Sequence, residues 1–179
     1  MSIYVEAVLT SSNITYPYYL VGASDSSYLY AVGEVSPSDN DVRILKINLS
    51  DFTENSYLTV TSTASSRTAI IDSTNTFLYV TTADSPCKVL KIRLSDFTLV
   101  TTLILNSGEN NGVSSAIDSS DSFLYVGTYT GELVKIQLSD FTRVGVLNLS
   151  SLPLGGLAID SLNSFLYAVE RQGSIALVF

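Results

Sequence analysis

Three aspartates recur in register along the chain, and they are the acidic side chains best placed by sequence to build one site together. They are Asp72, Asp118 and Asp160. Carboxylates are hard oxygen ligands, so three of them at one end of a ring could bind a cation. A short acid at a strand-to-turn junction more commonly accepts hydrogen bonds from backbone N–H groups. Because the position repeats, we assign these aspartates to the fold and predict no metal site.

The sequence offers little for catalysis. It contains no His, which removes the usual general base and the commonest transition-metal ligand. The single Cys87 is interpreted as a small side chain in a loop, since thiol catalysis needs an activating neighbour. No glycine-rich phosphate loop, paired-cysteine motif or nucleophile elbow occurs. We predict no catalytic residues and no cofactor; a hydrolase or lyase would have to use carboxylates, Tyr, Lys and Arg.

The composition indicates a single folded domain and disfavours some classes of partner. The 179 residues are 46% hydrophobic, enough for one folded domain with a sizeable core, and their net charge of -8 disfavours nucleic acid. No apolar run is long enough to cross a bilayer, and the N-terminus does not resemble a signal peptide. Low charge and eleven Tyr are frequent in extracellular β proteins. We therefore predict an extracellular or cell-surface location without membrane insertion.

An eight-residue element occurs three times and shows that this is a repeat protein. The copies occupy 46–53, 91–98 and 135–142, and each ends in Ser-Asp-Phe-Thr. Self-similarity at a period of about 45 residues indicates stacked supersecondary units that bury one another's apolar faces.

Each unit is predicted to contain four short antiparallel strands. Around Asp72, apolar Thr68–Ile71 and aromatic Phe77–Val80 flank a polar turn, which predicts a hairpin. An alternating segment such as Leu133–Leu138 gives a third strand, and Ser-Asp-Phe-Thr connects it to a fourth. No segment shows a helical period. The fold class is therefore all-β, and four strands per repeat form the blade of a β-propeller.

Two further side chains recur in register, a lysine in three blades, with Leu177 in the fourth place, and a tyrosine in all four. The lysines are Lys46, Lys91 and Lys135, and the tyrosines are Tyr30, Tyr79, Tyr125 and Tyr167. We interpret the lysines as solvated strand faces in preference to a basic patch. The tyrosines are interpreted as packing within and between blades, not as a platform for ligands.

The order of Asp, Leu-Tyr-Val, Lys-Ile-x-Leu and a closing apolar strand resembles the YVTN-type propeller repeat of surface-layer-like proteins. The resemblance covers essentially the whole chain and implies a propeller. Such propellers include structural, binding and enzymatic members, so the resemblance does not fix the function.

The two ends of the chain have complementary characters. The last repeat stops after a third strand, Gly173–Phe179, and the N-terminal Ile3–Thr10 has the character of the missing fourth. We predict one domain, 1–179, with blades at about 17–63, 66–108, 113–151 and 155–179 plus 1–12. The residues expected to pair at the junction are Ile3, Val5, Ala7, Leu9, Ile175, Leu177 and Phe179. Pairing within one chain gives a four-bladed ring, pairing between two chains gives an eight-bladed ring, and open-ended pairing gives a filament.

Departures from the repeat are the natural places for binding. The longest insertion runs from Gly33 to Asp41, and its acids Glu34, Asp39 and Asp41 are predicted to form an exposed binding loop. Three sequons would accept N-linked glycans outside the cell; they begin at Asn13, Asn48 and Asn148.

The sequence thus predicts a non-enzymatic structural or interaction module that self-associates through its terminal strands. The alternative is a lectin-like propeller that binds carbohydrate or peptide through loops at one end. A carboxylate-dependent enzyme is the third hypothesis.

Overall fold

The computed structural model describes residues 8–36, 38, 40–160, 162, 165–171 and 175–178, the last of these by backbone alone. The described residues form fifteen strands in four antiparallel sheets, and none forms a helix that could span a membrane. Sheet 1 contains β1 (Tyr16–Gly22), β2 (Tyr28–Glu34), β3 (Val42–Asn48) and β4 (Thr53–Val60). Sheet 2 contains β5 (Ser66–Ile71), β6 (Phe77–Thr82), β7 (Lys88–Arg93) and β8 (Thr98–Ile104). Sheet 3 contains β9 (Gly112–Ile117), β10 (Phe123–Thr128), β11 (Glu132–Gln137) and β12 (Thr142–Asn148). Sheet 4 contains β13 (Leu154–Ile159), β14 (Leu166–Glu170) and β15 (Ile175–Val178).

Every sheet is a meander, in which consecutive strands are joined by short turns and lie side by side. Burial alternates with the pleat along β9, where buried Gly112, Ser114 and Ala116 are separated by half-buried residues. The all-β class predicted from the sequence is confirmed.

The Ser-Asp-Phe-Thr turns carry an unusual backbone conformation. Phe52, Phe97 and Phe141 have φ angles of 54°, 53° and 55°, in the left-handed region that most residues with a side chain avoid. The preceding aspartate holds the turn: the Asp140 carboxylate accepts a hydrogen bond from the Thr142 hydroxyl at 2.7 Å. A bulky residue in this conformation must gain its stability from packing elsewhere.

The sheets stack face to face in chain order. The innermost strands follow one another, so that β1 contacts β5, β5 contacts β9, and β9 contacts β13. Each junction is filled by apolar side chains from two sheets, for example Val32 and Ile44 of sheet 1 with Leu78 and Val80 of sheet 2. Stacking therefore buries both faces of the two middle sheets and one face of each end sheet.

Within the described residues the stack does not return on itself. No contact between β13 and β1 compares with those between neighbouring innermost strands. Sheet 4 shows three strands, and the segment predicted to supply its fourth, residues 1–7, lies outside the described residues. The four sheets thus form an arc with two open ends, and closure by the N-terminal strand stays a prediction.

Candidate functional site

Two of the three junctions between sheets, 1–2 and 2–3, contain the same aromatic pair. Tyr30 of sheet 1 lies against Phe97 of sheet 2 with ring centroids 6.0 Å apart, and Tyr79 of sheet 2 lies against Phe141 of sheet 3 at 5.9 Å. The tyrosine comes from the second strand of one sheet, and the phenylalanine comes from the turn of the following sheet. We call the face that carries the tyrosine the forward face, and the face of the next sheet that receives it the backward face.

Lysines complete these junctions. The Lys46 ammonium lies 4.0 Å from the Tyr28 ring centroid and 5.8 Å from that of Phe97, and Lys91 lies 5.4 Å from Phe141. Burial lowers the pKa of both lysines below the ordinary value. The interpretation of the lysines as solvated strand faces is therefore wrong for these two, which are half-buried and stabilise the junctions through cation–π contacts.

The forward face of sheet 4 also carries the recurring tyrosine, but no described sheet packs against it. Tyr30 and Tyr79 are 2% and 3% exposed, whereas Tyr167, at the same position of sheet 4, is 39% exposed. Val32 lies two residues after Tyr30 and is fully buried, whereas Val169 lies two residues after Tyr167 and is 43% exposed. An apolar forward face is therefore open to solvent at one end of the arc.

The backward face of sheet 1 is the second open end in the sense that no other described sheet packs on it, although Ala31, Leu45 and Ile47 are only 4%, 2% and 5% exposed. It is built from Leu29, Ala31, Leu45 and Ile47, with half-buried Phe52 at its edge. A cavity of about 720 Å³ lies over this face. Phe52 has the conformation of Phe97 and Phe141, but the described residues place no tyrosine of a preceding sheet against it.

Residues 8–15 run across part of this backward face. Leu9 and Ile14 pack on Leu45 and Ile47, and the Ser11 hydroxyl donates to the Glu54 carboxylate at 2.7 Å. The position of Leu9 matches a recurring one, because an apolar residue shortly before each innermost strand packs into the junction with the sheet that follows. The other residues of this set are Val60, Leu105 and Leu149. Leu9 thus lies where the last residue of a preceding sheet's fourth strand would lie.

Solved structures with the same arrangement of sheets were found at low sequence identity. The chain aligns with hydrazine synthase of Kuenenia stuttgartiensis with a TM-score of 0.74 and 14% identity, over 98% of this chain and 49% of that one. It aligns with the WD40 repeats of RRP9 with a TM-score of 0.76 and 12% identity, over 90% of this chain and 47% of that one. The fold is propeller-like. The chain spans about half the length of each neighbour.

No protein-family model and no curated protein matches the sequence. Membership of the YVTN-type family therefore stays a prediction, whereas the propeller-like fold that it implied is confirmed. One of the two neighbours is an enzyme and the other is a repeat domain. Their structural similarity to this chain therefore indicates its fold but not its function.

The recurring aspartates serve the turns, as expected from the sequence. The Asp72 carboxylate accepts hydrogen bonds from the backbone N–H groups of Thr76 and Phe77 at 2.7 and 3.0 Å. Asp118 does the same for Ser122 and Phe123 at 2.7 and 2.9 Å. The backbone N–H of Asp160 donates to the Phe165 carbonyl at 3.1 Å, as those of its two counterparts do to Phe77 and Phe123. Among the described residues, no three His, Cys, Asp or Glu side chains are grouped as a metal site.

The insertion after Gly33 is not the exposed acidic loop that the sequence predicted. Glu34 is the last residue of β2, is buried, and accepts a hydrogen bond from the Tyr18 hydroxyl. The Asp41 carboxylate accepts from the Ser62 backbone N–H at 3.3 Å, and Asp39 lies outside the described residues. Two of the three acids are thus engaged in internal hydrogen bonds.

The sequon asparagines differ in their surroundings. The Asn13 amide donates to Glu54, and the Asn48 side-chain oxygen accepts from Ser50 at 3.1 Å. Asn148 ends β12 and is exposed. Asn148 is therefore the sequon whose side chain is best placed to carry a glycan.

The remaining predicted residues are Cys87 and the candidates for strand exchange, of which the structure describes Leu9, Ile175 and Leu177. Cys87 is fully buried, and burial raises the pKa of its thiol to about 11, so its thiolate form is disfavoured. Ile175 and Leu177 belong to β15, where Leu177 pairs with Tyr167. The other proposed partners in strand exchange, Ile3, Val5, Ala7 and Phe179, lie outside the described residues.

Proposed function

We propose that the protein is a non-enzymatic interaction module that self-associates, with two copies closing into one eight-bladed ring. The observation that carries the proposal is the pair of open end faces, which repeat the two sides of the internal junctions. In the ring, the forward face of sheet 4 in one copy packs on the backward face of sheet 1 in the other. Tyr167 then meets the Phe52 ring of the partner subunit, as Tyr30 meets Phe97 and Tyr79 meets Phe141 within the chain.

Strand pairing accompanies this contact. Leu9 occupies the place at which the fourth strand of a preceding sheet ends, and on this ground we propose that the sequence before it pairs with β15 of the partner subunit. Backbone hydrogen bonds would then supply affinity, and the edge strand of sheet 4 would be covered. The same contact occurs twice by symmetry, which is the usual form of a stable dimer.

A ring is preferred to a closed monomer or a filament. Among the described residues, β1 and β13 do not pack together as neighbouring innermost strands do, and the chain aligns with about half the length of two longer propeller-like chains. Two such arcs use both pairs of end faces in a closed particle. A filament would leave one end face exposed at each of its two ends.

The test is the mass of the purified chain by light scattering coupled to size exclusion. We expect twice 19.3 kDa for the natural sequence and 19.3 kDa for Val169→Asp, which places a charge on the open forward face. Val144→Asp is the matched control, because Val144 is 48% exposed on the outer strand β12, away from the end faces. Removal of residues 1–7 should also weaken the dimer while Leu9 remains.

A monomeric natural chain, or an equal loss of mass with Val144→Asp, would refute the dimer. Filaments in electron micrographs would replace the closed ring with an open assembly. Circular dichroism of each variant confirms that a change of mass does not arise from unfolding.

We further propose that the protein acts outside the cell or at its surface. The composition and the exposed Asn148 sequon support this location. The test is expression with a secretion leader in a glycosylating host, where a glycosidase-sensitive shift in mass is expected and should disappear in Asn148→Gln. Absence of a shift would remove this support.

A further inference from the structure

We propose that the inner surface of the arc binds an anionic saccharide, through a cavity framed by Arg67 and Arg171. The inference is separate from the dimer, because it rests on side chains of the innermost strands and of the loops beside them, and not on the end faces.

The cavity forms where the innermost strands begin. It has a volume of about 310 Å³, and the residues that decide its chemistry are Tyr18, Ser66, Arg67, Asn111, Tyr129 and Arg171. They come from all four sheets or from the loops beside them, and chain segments far apart in sequence therefore meet there. The volume lies at the lower end of the range for small-molecule sites, about 300–1,000 Å³.

The two arginines differ from the other cations of the chain. Nine Lys and Arg side chains are present against seventeen acids. Three pair with carboxylates, namely Lys88 with Asp84, Arg93 with Asp96 and Arg143 with Glu109. Four lie over aromatic rings, namely Arg43, Lys46, Lys91 and Lys135. Within the described part of the chain, Arg67 and Arg171 have neither kind of partner, and both line this one cavity.

The guanidinium of Arg67 is oriented by its neighbour. Its Nε donates a hydrogen bond to the Asn111 side-chain oxygen at 3.1 Å, which leaves its two terminal nitrogens available as donors. A guanidinium presents its donors as a planar fork that matches a carboxylate or a sulfate. The Arg67 side chain is thus preorganised to bind an anion.

Ser66 supplies an independent indication of a ligand. Its side chain is 1% exposed, and its hydroxyl has no hydrogen-bond partner among the described residues. Buried polar groups are almost always hydrogen-bonded, since leaving one unpaired is costly. The oxygen is enclosed in the free chain, but Ser66 lines the cavity, so rotation of its side chain would bring the hydroxyl to a ligand bound there.

Two tyrosines determine the shape of the ligand that fits between the arginines. Tyr129 is exposed, and the Tyr18 ring is fixed because its hydroxyl donates to the buried Glu34. Aromatic rings beside hydrogen-bonding groups suit a molecule with one apolar face and polar edges, which describes a sugar ring. A carboxylate or sulfate on that ring would bind to Arg67 and Arg171.

The probes are D-glucuronate, neutral glucose and inorganic sulfate, titrated into the purified chain by calorimetry at low ionic strength. We expect saturable binding of glucuronate at millimolar concentration and much weaker binding of glucose. Arg67→Gln and Arg171→Gln should each weaken glucuronate binding about tenfold, which corresponds to about 1.4 kcal/mol. Arg93→Gln is the matched control, because Arg93 is exposed, paired with Asp96 and outside the cavity.

Each outcome decides between the alternatives. Failure of glucuronate to bind, equal binding of glucose, or an equal loss with Arg93→Gln would overturn the site. Binding of sulfate as tight as that of glucuronate would overturn the saccharide part, because the cavity would then recognise charge alone. Thermal unfolding of each variant separates loss of the site from loss of the fold.

Discussion

The left-handed phenylalanine of each turn makes a prediction that distinguishes ring packing from backbone strain. Phe141 has a φ of 55°, is 8% exposed, and lies against Tyr79 and beneath the Lys91 ammonium. The ring stabilises the junction between sheets 2 and 3, whereas its backbone conformation costs free energy. Phe141→Ala removes the ring but keeps the unfavourable free energy of the left-handed backbone conformation. Phe141→Gly removes both the ring and this unfavourable free energy.

The magnitudes follow from burial and conformation. Loss of a buried Phe costs about 3–5 kcal/mol, and Phe141 is near the lower value because it lies at the edge of the sheet. The left-handed conformation costs an alanine about 1–2 kcal/mol, from which the greater unfolded-state entropy of glycine subtracts about 0.4–1 kcal/mol. Phe141→Ala should therefore lower the free energy of unfolding by about 3 kcal/mol, and Phe141→Gly by about 0.5–1 kcal/mol less.

Urea unfolding followed by circular dichroism measures both values. The matched control is Phe52→Ala, at the same position and with a φ of 54°, where no preceding sheet covers the half-buried ring. Its loss should be about 1 kcal/mol in the monomeric Val169→Asp background. Equal stability of Phe141→Ala and Phe141→Gly would refute the strain argument, and a loss below 1 kcal/mol for both would refute the packing argument.

Two further predictions concern the acids. Asp118→Ala should lower the free energy of unfolding by about 2 kcal/mol, because two backbone N–H groups lose a charged acceptor. Asp118→Asn should recover part of this loss. Equal free energies of unfolding for the two variants in urea titrations would contradict this role of Asp118. Burial alone would raise the pKa of Asp84. Hydrogen bonds from Thr63, Thr82 and Lys88 outweigh this effect and hold the pKa below its ordinary value. Asp84 therefore stabilises the fold above its unfolded pKa of about 3.9, and this contribution is lost as pH falls through the folded pKa. Urea midpoints measured from about pH 5 to pH 2 should fall less in Asp84→Asn than in the natural chain, and parallel curves would refute this assignment.

Local sequence predicts the parts of the fold that depend on neighbouring residues. The Asp72 turn, the alternation of β11 and the Ser-Asp-Phe-Thr connection are all predictable, because hairpin geometry and hydrogen bonds to nearby N–H groups act over a few residues. The recurrence of Tyr30 and Tyr79 in register also indicates packing, since repeated units bury the same positions.

Residues whose surroundings come from another sheet are predicted less well. Lys46 carries a charge on an alternating strand, a pattern that favours solvent, but the next sheet places Phe97 over its ammonium. Glu34 follows a glycine before a polar insertion, a pattern typical of a loop, but Tyr18 pairs with it inside sheet 1. The cavity around Arg67 gives no sequence signal, because nothing in a single repeat distinguishes an arginine with an acidic partner from one without.

The sequence by itself determined the class, the repeat, the strand order and the turns of this protein, because each depends on contacts within about 45 residues. The tertiary structure alone decided that the described sheets form an arc, that no other described sheet packs against Tyr167 or Phe52, and that two arginines line one cavity on the inner surface. The physical reason is that curvature and end faces arise from the small rotation between successive sheets. That rotation is set by how side chains of different repeats pack together.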